Sequence, residues 1–188
     1  DLPDEQKKQY AALSRELSEL TNSFSDNVLD ATQHWFKHIT DVEELAGIPE
    51  SALEGAKQAA SQKDLDGYVI TLDFPSFFPV MTYCDNRELR HEVYEAFVTR
   101  ASDVGPDGGT WDNTQVMAEI LKRRHALAKL LGFNNYAERS LATKMARDSD
   151  EVLGFLNELA AKSKPVAEKD YTELKAFAKD QHGLDDLK

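Results

Sequence analysis

Between Pro3 and Gly47 the chain contains neither glycine nor proline. Within that stretch, apolar residues fall at Tyr10, Leu13, Leu17, Leu20, Phe24, Val28, Ala31 and Trp35. The steps are all three or four, which puts these side chains on one stripe of a helix. Pro3 suits the entry, because proline lacks only an N–H that the first turn leaves unbonded anyway. The spacing predicts a helix from Asp4 to about Ile39. At 1.5 Å per residue, about 36 residues make a rod of about 54 Å. Such a rod is long for a compact domain. It suits the spine of a larger assembly or one arm of a helical hairpin.

The rest of the chain reads as further helices with one exception. Ile48-Pro49-Glu50-Ser51 opens a second helix to about Ser61. After Gly67, the β-branched run Tyr68-Val69-Ile70-Thr71-Leu72 reads as a strand. A lone strand leaves its backbone donors and acceptors unpaired. Its partner is either a weak segment of this chain that the pattern does not reveal or, the favoured expectation, sequence outside these 188 residues. Phe74 to Met81, dense in aromatics and proline, reads as a short helix starting at Pro75 or as an extended turn. Asp85-x-x-Glu88 resembles a capping box and predicts a helix to about Ala101. Residues 102–113 form a Gly/Pro/Asp loop. Asp112-x-x-Gln115 predicts the cap of the next helix, which buries Val116, Ile120, Leu127 and Leu131. Gly132 stands where a left-handed C-cap belongs. A short helical segment follows within 134–145. A last helix from about Asp150 to His182 should kink or split at Pro165. The fold class is therefore all-α, with one short β element at residues 68–72.

Composition narrows the function. Twenty-two basic residues against 34 acidic ones give a net charge of −12. A nucleic-acid binder needs a basic surface to displace counterions, so that class is disfavoured. No apolar run approaches the 18 or more residues of a membrane span. The opening DLPDEQKKQY is charged and has no signal-peptide core. The single cysteine, Cys84, excludes an internal disulfide framework and fits a reducing, cytoplasmic setting. As a small apolar side chain it suits a partly buried place. The first residue is Asp1, which is what a piece of a longer protein would show.

Two stretches come close to a zinc motif. In the zinc-protease helix H-E-x-x-H, two histidines one turn apart hold the metal and the glutamate acts on bound water. His91-Glu92-Val93-Tyr94-Glu95 lacks only the second histidine. However, the core face of that helix is Leu89, Val93, Ala96 and Phe97. His91 lies about 200° from Leu89 at 100° per residue. It is expected in solvent among Glu88, Glu92 and Glu95. His34-Trp35-Phe36-Lys37-His38 places two histidines one turn apart on the predicted first helix, with Trp35 where the glutamate belongs. No third ligand lies near in sequence. GPDGG at 105–109 lacks the lysine and helix entry of a phosphate loop. No catalytic or metal-binding residue is expected in the chain, and its substrate-binding residues are not legible.

The stretches without chemistry are the distinctive ones. YVITLDFPSFFPVMTYCDNRELRHEVYEAFVTRASDVGPDGGTWDN (68–113), ILKRRHALAKLLGFNNYAERSLATKMA (120–146) and EVLGFLNELAAKSKP (151–165) carry a resemblance that runs collinearly over essentially the whole chain. The sequence resembles the thimet oligopeptidase family of zinc metallopeptidases. The resemblance implies a neurolysin-like helical ellipsoid with a deep channel between two domains. It implies one zinc, held by an H-E-x-x-H helix and a further glutamate that match no position here. Residues 1–188 would then be one helical segment of the non-catalytic part, without zinc and inactive alone. Its partners would be the remainder of the peptidase chain and short unfolded peptides, including cleaved signal peptides. The strand at 68–72 would be a wall element able to pair with an extended peptide. The competing expectation is a stand-alone helical interaction module. A third is a small metal-binding protein using His34 and His38.

Overall fold

A computed structural model describes residues 2–187. Among these are seven α-helices and a two-stranded sheet, so the chain is mainly helical. They fall into two compact units, one ending at Ala126 and one starting at Leu127.

Helix α1 spans Asp4–His34, 31 residues. It stops short of the predicted end near Ile39. Trp35 is already extended, and Phe36–Ile39 form strand β1. After α2 (Glu50–Ser61), strand β2 spans Tyr68–Thr71 and pairs antiparallel with β1, Phe36 opposite Thr71 and Ile39 opposite Tyr68. The expected partner outside the chain is therefore wrong: β2 pairs within the chain. The physical reason is twofold. Ile39 is buried in the strand conformation, and β1 gives β2 hydrogen-bond partners that a longer α1 could not supply. The stripe periodicity continued through Trp35 and hid the change of state, since local pattern yields to tertiary pairing.

The first unit continues with α3 (Phe74–Tyr83) and α4 (Arg87–Val98). Pro75 lies in the first turn of α3, so the helical reading of that aromatic run holds and the extended turn does not. The cap of α4 differs from the expected one. Asn86, not Asp85, accepts from the N–H groups of Glu88 and Leu89, each at 3.1 Å. The core gathers Ile39, Leu45, Ile48, Ile70, Leu72, Val80, Leu89 and Val93. Phe77 of α3 stacks on Phe97 of α4 at 3.9 Å between centroids. Leu89, Val93 and Ala96 are buried as the helical spacing predicts.

Helix α5 (Thr114–Leu130) runs across the boundary between the units. It ends as predicted at Gly132, whose φ of +87° is left-handed, while Phe133 N–H reaches back to Ala128 C=O. Helix α6 covers only Tyr136–Leu141. Helix α7, Ser149–His182, is one helix of 34 residues. Pro165 lies inside it and does not split it. Proline removes one backbone donor, but α7 is exposed around that position, so the freed carbonyl stays in contact with water.

Candidate functional site

Of the two near-zinc stretches, only His91–Glu95 stays on a helix. His91 and Glu95 lie exposed on α4, and their neighbour Glu92 is taken by Lys37, whose Nζ stands 2.8 Å from its carboxylate. His34 is the last residue of α1 and His38 lies in β1, so the helical spacing that would align them does not exist. The His34 ring packs against Trp111 at 5.0 Å, and its Nε2 is 3.7 Å from Asp107. His38 Nε2 sits 2.6 Å from the backbone oxygen of Asp66. Among the described residues, no three His, Cys, Asp or Glu side chains converge as a metal site. The zinc of the family therefore has no fitting ligand set within these residues. Cys84 is buried, with its sulfur 3.6 Å from the Glu44 carbonyl.

The GPDGG loop is held as a structural element. Its C-terminal anchor is Asn113, 1% exposed. Asn113 donates to the Phe24 carbonyl at 3.1 Å and accepts from the Asn27 amide at 2.8 Å, which ties the loop to α1. Asp112 accepts from both the hydroxyl and the N–H of Thr114. The hydroxyl bond first, then the backbone bond, holds its carboxyl below the usual aspartate range. Beside the loop, Arg100 donates to Thr32 and to the Phe97 carbonyl, with its guanidinium 3.8 Å from the Phe97 ring. Its burial lowers its pKa.

The strand expected as a wall element lies in the sheet with its outer side toward α2 and α3. Thr71 donates its N–H to Ser76 Oγ at 2.9 Å, so that N–H is turned away from β1. In an antiparallel pair the alternate residue Val69 points its backbone the same way. That side of β2 lies under α2 and α3, beside a cleft of about 300 Å³ lined by small residues such as Ala52, Gly55 and Ala59. Val69 is 0% exposed. One edge of β2 is paired with β1; on the other, the Thr71 N–H is already taken by Ser76, and Val69 and Thr71 line the cleft. A second cleft of about 310 Å³ lies between α6 and α7, lined by Ala137, Leu141, Val152 and Leu153. Ser149 Oγ is buried there without a hydrogen-bond partner.

Most of the exposed large apolar side chains of the second unit lie on α7. Leu153, Phe155, Leu156, Leu159, Val166, Tyr171, Leu174 and Phe177 are all exposed large apolar side chains. At 100° per residue they share one broad stripe, and ion pairs such as Lys162 with Glu158 run beside it.

The chain is thus mainly helical, with an exposed apolar stripe on α7 and, among the described residues, no converging ligand cluster. The family model described as Peptidase family M3 matches residues 80–188, and this chain belongs to that family. It is similar to oligopeptidase A of Escherichia coli, 56% identical over 186 residues, covering 99% of this chain and 27% of that protein. Oligopeptidase A of Haemophilus influenzae is 53% identical over the same share of each chain. A probable cytosolic oligopeptidase A of Arabidopsis thaliana is 44% identical over 96% of this chain and 26% of its own. The chain spans about a quarter of the length of the curated relatives it matches.

Proposed function

We propose that this chain is a non-catalytic scaffold segment of a zinc-dependent oligopeptidase that hydrolyses short peptides, cleaved signal peptides among them. It contributes to the wall of the substrate channel and is inactive alone. The observation that carries the reading is the 56% identity to an oligopeptidase A along 99% of the chain. The dispersal of His34, His38 and His91 supports it, because the zinc would be held by residues beyond these 188. The uncovered stripe of α7 supports it too, as the seat of the remainder of the peptidase chain. A long amphipathic helix draws most of its stability from packing its apolar face. Nucleic acid and membrane play no part in this reading: the net charge is −12 and no described helix is long and apolar enough to cross a bilayer. The setting is cytoplasmic.

The α7 stripe also favours a second reading, a stand-alone helical interaction module that docks a partner protein there. The reading frame beyond the codon for Lys188 separates the two. A frame continuing to an H-E-x-x-H helix and a distal glutamate is the expected result. A stop codon at that point would overturn the peptidase reading.

A further inference from the structure

We propose that the outer edge of β1, at Phe36 and His38, binds an extended peptide by main-chain hydrogen bonds and takes a carboxylate of that peptide at Lys63. The register pairs Phe36 with Thr71 and His38 with Val69. Thr71 turns its N–H away from β1, so these are the pairs whose backbone groups point outward on both strands. The N–H and C=O groups of Phe36 and His38 therefore face away from β2. None of them bonds to another described residue. Phe36 is 41% exposed and His38 is exposed too, whereas on the outer side of β2 Val69 is buried and the Thr71 N–H is taken by Ser76. An open row of unpaired strand groups is a template for one more strand. This edge has neither the proline nor the bulge that would blunt it.

Charge selects the occupant. Lys63 is exposed, and its Nζ lies 4.3 Å from the centre of the Phe36 ring. No carboxylate of the described residues pairs with it, although the chain carries 34 acidic side chains. That ammonium stands over the side chain of Phe36, one of the two residues whose backbone groups form the open edge. A short peptide ending in a free carboxylate, or bearing an acidic side chain at that register, meets an unneutralised cation there. The identity of the occupant as a peptide rests on the peptidase reading above; the open edge and the free cation do not.

The test uses this 188-residue chain, labelled with nitrogen-15, and a soluble hexapeptide of alternating threonine and valine with a free C-terminus. Titration should shift the amides of residues 36 and 38 and slow their exchange with solvent, leaving those of 69 and 71 unmoved. Proline at an edge position whose N–H faces solvent is tolerated. His38→Pro should therefore keep the helical circular dichroism of the chain and weaken binding about tenfold or more. Methylating alternate peptide nitrogens does the same without touching the protein. Amidating the peptide C-terminus should weaken binding several-fold, and Lys63→Ala should erase that difference. Three results overturn the proposal: amides 36 and 38 unmoved at saturating peptide, equal binding by a folded His38→Pro chain, or amides 36 and 38 already protected without peptide. The last would mean that a second copy covers the edge. Any of these leaves the peptidase reading standing if the frame past Lys188 encodes the zinc motif.

Discussion

Asn113 is where one side chain decides the most. Its amide satisfies the Phe24 carbonyl and the Asn27 side chain from within the loop that joins α4 to α5. Asn113→Ala leaves both groups without their partner and should cost about 1–3 kcal/mol. Urea denaturation measures this, and the exposed Asn22→Ala serves as a control with little effect. Next to it, Asp112 is held below the usual aspartate range by Thr114. A depressed carboxyl contributes stability above its unfolded pKa and loses it as pH falls through the folded one. Thr114→Val removes the hydroxyl donor and keeps the N–H, so an NMR titration should show the Asp112 carboxyl moving upward toward the ordinary value. Asp112 was legible in the sequence as a helix-start residue, because such residues bond locally. The role of Asn113 was not, because its partners lie 86 and 89 positions away.

At the scale of elements, β1 and α7 show how far periodicity reaches. The alternation of Phe36, Lys37, His38 and Ile39 is too short to overrule a helical stripe, and only pairing with β2 settles its state. Gly67 enters β2 with φ +93°, and a Cβ there would stand 2.5 Å from the Ile39 carbonyl oxygen. Gly67→Ala combines backbone strain with that clash and should destabilise the first unit by roughly 1–3 kcal/mol. A thermal melt followed at the sheet's Tyr68 checks it. Pro165 was expected to kink or split α7, and it does not split it. Replacing it by alanine restores a backbone donor, offset by a more flexible unfolded chain, and should stabilise α7 by roughly 1–3 kcal/mol. The measure is helical ellipticity against temperature.

For the whole molecule, the exposed stripe of α7 governs solution behaviour. Leu156 and Leu174 share its centre and are each about half exposed. Leu156→Glu with Leu174→Glu should leave helix content unchanged and reduce self-association in sedimentation experiments, because large exposed apolar patches drive association. If the remainder of the chain seats on the stripe as proposed, the same pair in a full-length family member should destabilise the protein. Sequence by itself determined the helical class, the glycine cap at Gly132, the core face of α4 and, through long collinear resemblance, the peptidase family. The first three follow from local spacing, which operates within a turn or two of the chain; the family follows from the resemblance alone. Tertiary structure alone decided that α1 ends at His34, that β2 finds its partner in β1, that the histidines stay apart, and that the open strand edge is at Phe36 and His38. Each of those depends on which distant backbone groups meet, and an unpaired buried N–H or C=O costs more than any local preference can return.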